Sequence, residues 1–443
     1  MNSKLRKCFL GIALGYVIIL CGLFYWHLFA DLGQHPANPR YYLMFRQARG
    51  SILDRHGDFL ASSAGEDYKR VYATASLAHV VGYFHQRYGL TGLERLYHEE
   101  LFSGRSLYTT LDLEIQIMVE EVLGDRVGCA IVLKPSTGEV LALVSSPTVD
   151  GNALDEFWPD YLEDLRSPFL NRITQGLYPP GSLIKPIVYG GALAQKLVDP
   201  AQIWVDQGAL QIQNRTLSNS GGKALGAITT DQALAFSSNV VFARLAMDLG
   251  DSLLEQFLAF GLGSQTNFEL SSQRGYVPPK ASSPYALAQL GIGQGELLVT
   301  PLHMAMVVAA IANRGVMMKP YLIQELRGGL QMRQINRPQV LAEVMPEQVA
   351  LIVRDAMVLA VQEGTAHEAV VPDLDLAAKT GTAQVGQGKD HAWFMGFAPS
   401  HQPEVAVVVL VEHGGFGGTV ATPLGAQMIA KAIEIVDSEK GKR

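Results

Sequence analysis

The stretch CFLGIALGYVIILCGLFYWHLFA, from Cys8 to Ala30, carries no fixed charge. A run that apolar can satisfy its backbone in lipid only as a helix, and at 1.5 Å per residue it spans ~34 Å against a hydrocarbon core of ~30 Å. Lys4, Arg6 and Lys7 precede it, and Asp31 is the first charge after it. The excess of basic residues on one side predicts a cytoplasmic N-terminus and places the rest of the chain outside. Tyr25 and Trp26 fall near the outer end, where amphipathic rings gather. A cleaved signal peptide has an apolar core of only ~7–15 residues followed by a small-x-small site. The run is longer, and no convincing site of that kind follows it, so the expectation is an uncleaved single-pass anchor.

The remainder reads as a soluble protein. After a polar linker, DLGQHPANPR, comes a mixed segment holding RGSILDRHGDFLA and TGLERLYHEEL. Its DRHG string predicts a turn and its second part a short amphipathic helix. Residues 110–123 read as a helix. CAIVLKPSTGEVLALVSS is two strand-like runs around a Pro-Ser-Thr-Gly turn. Residues of about 150–350 read as mostly helical, and three strands return in LAAKTGTAQV, HAWFMGFAP and EVAVVVLVE before a last helix. Strands and helices kept in separate runs predict an α+β fold, an antiparallel sheet with helices packed on both faces. The expected division is 1–30 tip and anchor, 31–108 linker and a small pedestal, and 109–443 the main domain.

Several chemistries have no support. A net charge of -7 opposes nucleic-acid binding, which needs a basic face. No glycine-rich phosphate loop opens a helix, and no nucleophile elbow is present. His98 and His367 lack the second histidine of a zinc-binding helix, and no paired cysteines offer a metal site. Cys129, alone in the soluble part, reads as core. No cofactor or metal is expected.

Two serine–lysine pairs at i and i+3 remain, Ser182/Lys185 and Ser220/Lys223. The second has two glycines between its ends, each costing a helix about 1 kcal/mol relative to alanine, and reads as a turn. The first, in LYPPGSLIKPIVYGGAL, follows a Pro-Pro-Gly turn and opens an apolar helix, so hydroxyl and amine share a face. Ser237-Ser238-Asn239 lies between two helical runs, and Lys379-Thr380-Gly381-Thr382 lies inside a predicted strand. Ser-x-x-Lys, Ser-x-Asn and Lys-Thr-Gly in this order mark penicillin-binding proteins and serine β-lactamases.

The chain resembles a class B penicillin-binding protein with an unusually short pedestal. RGSILDRHG, TLDLEIQ, LKPSTGEVLALVSSPTVDGN, GIGQGELLVTPLHMAMVVAAIANRG and HAWFMGFAP are similar to stretches of that family, and nearly all of 109–436 is covered. The resemblance implies a penicillin-binding transpeptidase/β-lactamase-like fold and a peptidoglycan D,D-transpeptidase acting on the D-Ala-D-Ala end of stem peptides. It implies Ser182 as nucleophile, Lys185 as base, Ser237 as proton shuttle and Asn239 as the group holding Lys185 and the substrate amide. Lys379, Thr380 and Thr382 would receive a substrate carboxylate, with Gly381 leaving room for it, and the Ser182 and Thr382 amides would form an oxyanion hole. β-Lactams would acylate the same serine, and a polytopic glycosyltransferase of the shape, elongation, division and sporulation type would be a membrane partner. The alternatives sharing these motifs are a D,D-carboxypeptidase, a class D β-lactamase or β-lactam sensor, and an inactive scaffold.

Overall fold

In the computed structural model, residues 3–28, 44–328, 334–386 and 388–442 are described. The apolar N-terminal run forms one helix, Ser3–Leu28, long and apolar enough to cross a membrane, and the protein buries none of its apolar window. The linker expected from Asp31 to Arg40 lies outside the described residues.

The centre of the main domain is a five-stranded antiparallel sheet made of β1 (Gly128–Leu133), β2 (Val140–Ser146), β3 (Ala377–Ala383), β4 (His391–Ala398) and β5 (Val405–Val411). Their order is β3-β4-β5-β1-β2. The hairpin predicted around Pro135–Gly138 therefore lies at one edge and the strand carrying Lys379 at the other. Successive side chains alternate between faces. Ala130, Val132, Phe394, Val407 and Val409 pack on one side with α1 (Leu113–Leu123) and α7 (Gly417–Lys442). Cys129, Ile131, Trp393, Met395, Val408 and Leu410 pack on the other with α5 (Pro301–Ala312). Both faces are covered, which is why EVAVVVLVE has no polar alternation and why every residue of α5 is buried.

Beside the sheet stand α2 (Lys185–Ala194), α3 (Asn239–Leu249), α4 (Pro284–Gly291) and α6 (Glu347–Gln362). This is the expected α+β architecture, with a departure in the middle of the chain. Residues 203–229 form two small two-stranded ladders, Ile203–Asp206 with Gly226–Thr229 and Ala209–Ile212 with Arg215–Ser218. Their side chains are largely exposed, so no apolar alternation announces them.

A second unit is built on a six-stranded sheet. Ile52–Leu53 pairs in parallel with Ser106–Thr109, and Ile323–Arg327, from far along the chain, pairs on the other side of that strand. The two regions thus share one sheet. The predicted Asp54–Gly57 turn is present: Asp54 Oδ1 accepts the amides of His56, Gly57 and Asp58, while its Oδ2 accepts the amide of Leu113. Asp112 caps α1 through Ile115 and meets His56 at 3.1 Å. Asp54, His56 and Asp112 are close enough to share an ion, but both acids already serve as backbone caps.

Candidate active site

The Pro179-Pro180-Gly181 turn is fixed from three directions. Trp393 Nε1 donates to the Pro179 carbonyl at 3.2 Å, and the Gly181 amide donates to the Gly293 carbonyl at 2.9 Å. Gly181 has φ +54°, and a Cβ there would lie 2.8 Å from the Thr382 carbonyl oxygen, so glycine is required. The chain then makes one 3-10 turn, Gly181–Ile184, before α2 begins at Lys185. Side chains at i and i+3 eclipse in a 3-10 turn. Ser182 and Lys185 therefore share one face, set by a tighter turn than the α-helix expected from the sequence.

Lys185 is completely buried and donates to the Ser237 carbonyl at 2.6 Å, Asn239 Oδ1 at 2.8 Å and Ser237 Oγ at 3.1 Å. Lys379, also completely buried, donates to the same Ser237 Oγ at 2.9 Å and to the Thr380 carbonyl. One hydroxyl thus bridges two lysines. Ser237 has φ +59°, an uncommon conformation for a residue with a side chain, and it lies between two helices in the reach of both amines. Burial drives Lys185 well below its ordinary pKa, the Lys379 charge adds to this, and Asp206 opposes it. Burial alone lowers Lys379 to about 7. Both shifts favour the neutral amine, the form that general-base activation of a serine requires.

Asp206, 1% exposed, was not singled out by any motif. It accepts the Gly208 amide at 2.7 Å, Asn219 Nδ2 at 2.9 Å on both oxygens, and Ser238 Oγ at 2.5 Å. Asn219 Oδ1 in turn accepts the amides of Asn239 and Val240. This network holds the start of α3, and with it Ser237 and Asn239, against the small ladders of residues 203–229. Sequence offered no signal for it, since the partners are a lone acid and a lone amide 13 residues apart.

The Ser182 hydroxyl opens into a cleft of about 780 Å³ bounded by Ser237, Asn239, Thr380 and Thr382. Asn239 Nδ2 donates to the Ser218 carbonyl. Thr382 Oγ1 accepts the Gly417 amide at 3.1 Å, so its own proton is available to a ligand. Thr380 Oγ1 pairs with Thr365 Oγ1 at 2.8 Å, a neighbour the motifs did not reveal. Gly381 lies against Leu183 and Trp393, where a Cβ would meet both at 3.0 Å. Its missing side chain therefore admits the Ser182 turn, while the sequence reading assigned the space to substrate. Ser220 and Lys223 stand on the lip of the same cleft, both exposed, in a turn whose Gly221 and Gly222 have positive φ. The second serine–lysine pair is a turn, as read.

A family model described as the penicillin-binding protein transpeptidase domain matches residues 128–432, and one described as the penicillin-binding protein A dimerisation domain matches 49–121. The chain is 32% identical to the peptidoglycan D,D-transpeptidase PbpA of Mycolicibacterium smegmatis, across 98% of this chain and 99% of that one. Among solved structures it is similar to the D,D-transpeptidase domain of a peptidoglycan glycosyltransferase from Eggerthella lenta, with TM-score 0.83, 32% identity and coverage of 88% and 99%. It is also similar to penicillin-binding protein A of M. tuberculosis in an imipenem acyl-enzyme complex, with TM-score 0.83, 30% identity and the same coverage.

Proposed function

The chain belongs to the penicillin-binding protein transpeptidase family, and from that premise we infer that Ser182 is the nucleophile of its acyl transfer. It is a serine-type peptidoglycan D,D-transpeptidase. In the reading supported here, Ser182 Oγ attacks the carbonyl carbon of the penultimate D-alanine while its proton passes to neutral Lys185. The tetrahedral oxyanion is held by the Ser182 and Thr382 amides. The C–N bond then breaks, and the proton travels from Lys185 through Ser237 Oγ to the departing D-alanine amine. An ester on Ser182 remains. A neighbouring stem peptide's amine attacks it, the C–O bond breaks, and the proton returns to Ser182 as the cross-link forms. Lys379 and the Thr382 hydroxyl receive the terminal carboxylate, and a β-lactam presents its own carboxylate and strained amide to the same groups.

The single observation carrying this reading is Ser237 Oγ, within 3.1 Å of Lys185 Nζ and 2.9 Å of Lys379 Nζ. It joins base and carboxylate receptor through one proton-passing group, which a chance serine–lysine pair would lack. Labelling the full-length protein in membranes with fluorescent penicillin tests it. A long-lived adduct is expected, lost in Ser182→Ala and kept in Ser220→Ala. Rapid loss of the adduct would indicate a β-lactamase, and an unlabelled wild type a scaffold.

The helix Ser3–Leu28 fits a single membrane anchor. Lys4, Arg6 and Lys7 support a cytoplasmic N-terminus in a bacterial cytoplasmic membrane, with residues 31–108 as a small pedestal and 109–443 as the catalytic domain outside. A polytopic glycosyltransferase supplying nascent glycan is the partner proposed beside that anchor.

A further inference from the structure

The catalytic cleft has a neighbour. Tyr285 and Gln289, both on α4, line it and also a second chamber of about 450 Å³. One wall is continuous between the two. In the Ala209–Ile212/Arg215–Ser218 hairpin, Thr216, Leu217 and Ser218 line the catalytic cleft, while Gln213, Asn214 and Arg215 line the second chamber. Strand Arg215–Ser218 pairs only with its hairpin partner among the described strands, so no second strand covers its other edge. Its cleft end is tied to the catalytic machinery, because the Ser218 carbonyl accepts Asn239 Nδ2 at 2.9 Å.

Charge distinguishes the two ends. Arg215 and Lys280 line the second chamber, against one acid, Glu296. Arg215 holds its guanidinium 5.0 Å over the Tyr285 ring, at the neck between the chambers. Stacking fixes the plane of the fork without consuming its N–H donors, and an oriented guanidinium matches a carboxylate. Among the described residues, neither Arg215 nor Lys280 is in an ion pair with a carboxylate. At ~3.3 Å per extended residue, Arg215 lies about three residues, or ~10 Å, beyond Ser218 along the wall.

We propose that the second chamber is a donor-peptide subsite that binds a carboxylate carried about three residues to the acyl side of the scissile bond. Arg215 and Lys280 are its receptors and Tyr285 its platform. The proposal rests on the Ser182 acyl-transfer reading, since the donor's direction is set by which bond Ser182 attacks.

The test compares two pentapeptides ending in D-Ala-D-Ala. One carries a free side-chain carboxylate at its second residue, and the other the matching carboxamide. With the full-length protein, D-alanine release should favour the acid by about tenfold in kcat/KM, the scale of one charge-assisted hydrogen bond. The preference should shrink as salt is raised, because these groups are exposed. It should vanish in Arg215→Ala/Lys280→Ala and return in part in Arg215→Lys/Lys280→Ala. Benzylpenicillin acylation of each variant reports whether the catalytic cleft has folded. No preference in the wild type, or a preference that survives the double substitution in a variant still acylated by penicillin, overturns the subsite. So does an equal loss on both peptides, which would indicate a merely structural wall. A wild type that takes no penicillin at Ser182 overturns the premise instead.

Discussion

Gly293→Ala is expected to cripple acylation without touching any group that meets substrate. Gly293 has φ +71°, and an added Cβ would lie 1.9 Å from the Gly181 carbonyl oxygen and 2.8 Å from the Gly181 nitrogen. Real Cβ contacts begin near 3.0 Å. Gly181 would have to withdraw, yet it also lies against the Thr382 carbonyl, at the edge of the sheet. The turn carrying Ser182 must therefore shift by about an ångström, and a misplacement of that size is worth roughly 100-fold in rate. A left-handed alanine also costs about 1–2 kcal/mol of stability. Gly295→Ala separates the two effects. Its φ is +76°, but its added Cβ meets only the Gln289 side chain, at ordinary distances of 3.5 and 3.9 Å. Both variants should incur the left-handed backbone cost, while Gly293→Ala alone adds the clash and loses about two orders of magnitude in the second-order rate of penicillin acylation. Stopped-flow acylation with a fluorescent penicillin, alongside thermal melts, measures both. A Gly293→Ala rate within a few-fold of wild type, or equal slowing in Gly295→Ala, refutes the claim that this contact positions the nucleophile.

Asp206→Asn should destabilise the domain by about 2–3 kcal/mol, because an acceptor of Gly208, Asn219 and Ser238 donors is exchanged for a group that also donates. Unchanged urea unfolding would show the network to be dispensable. Lys379 is lowered by burial to about 7 in the folded protein, against 10.5 ordinarily. The unfolded chain binds the extra proton between those values, so stability rises with pH from about 7 toward 10.5 and the penalty is present in full below 7. Melting temperatures measured from pH 6 to 9 should climb less steeply in Lys379→Met than in wild type; parallel curves would place the shift elsewhere. Affinity for carboxylate ligands should meanwhile fall above pH 7 as Lys379 loses its charge, a trend that equilibrium titration with a carboxylate-bearing, non-acylating ligand can follow.

The sheet and its flanking helices were legible because their signals are local. EVAVVVLVE and HAWFMGFAP are strands with both faces buried, and the Pro135–Gly138 turn joins two apolar runs. Ser182, Lys185, Ser237, Asn239 and Lys379 could be named because short strings in a fixed order carry chemistry. The ladders of residues 203–229 were hidden, since exposed two-stranded pairs need no apolar alternation. The strand Ile323–Arg327 pairs with residues more than 200 positions earlier, a partnership no window of sequence contains.

What the sequence determined by itself is the long apolar N-terminal helix, the α+β class and the residue types that acyl transfer needs. It could do so because apolar length, periodicity and motif order are properties of neighbouring residues. The tertiary structure alone decided that Ser237 bridges both lysines, that Asp206 and Asn219 hold it there, and that Gly181 is wedged between Gly293 and Thr382. It also decided which way the amine titrates. A lysine is ordinarily charged, and complete burial beside a second lysine drives the Lys185 pKa well down.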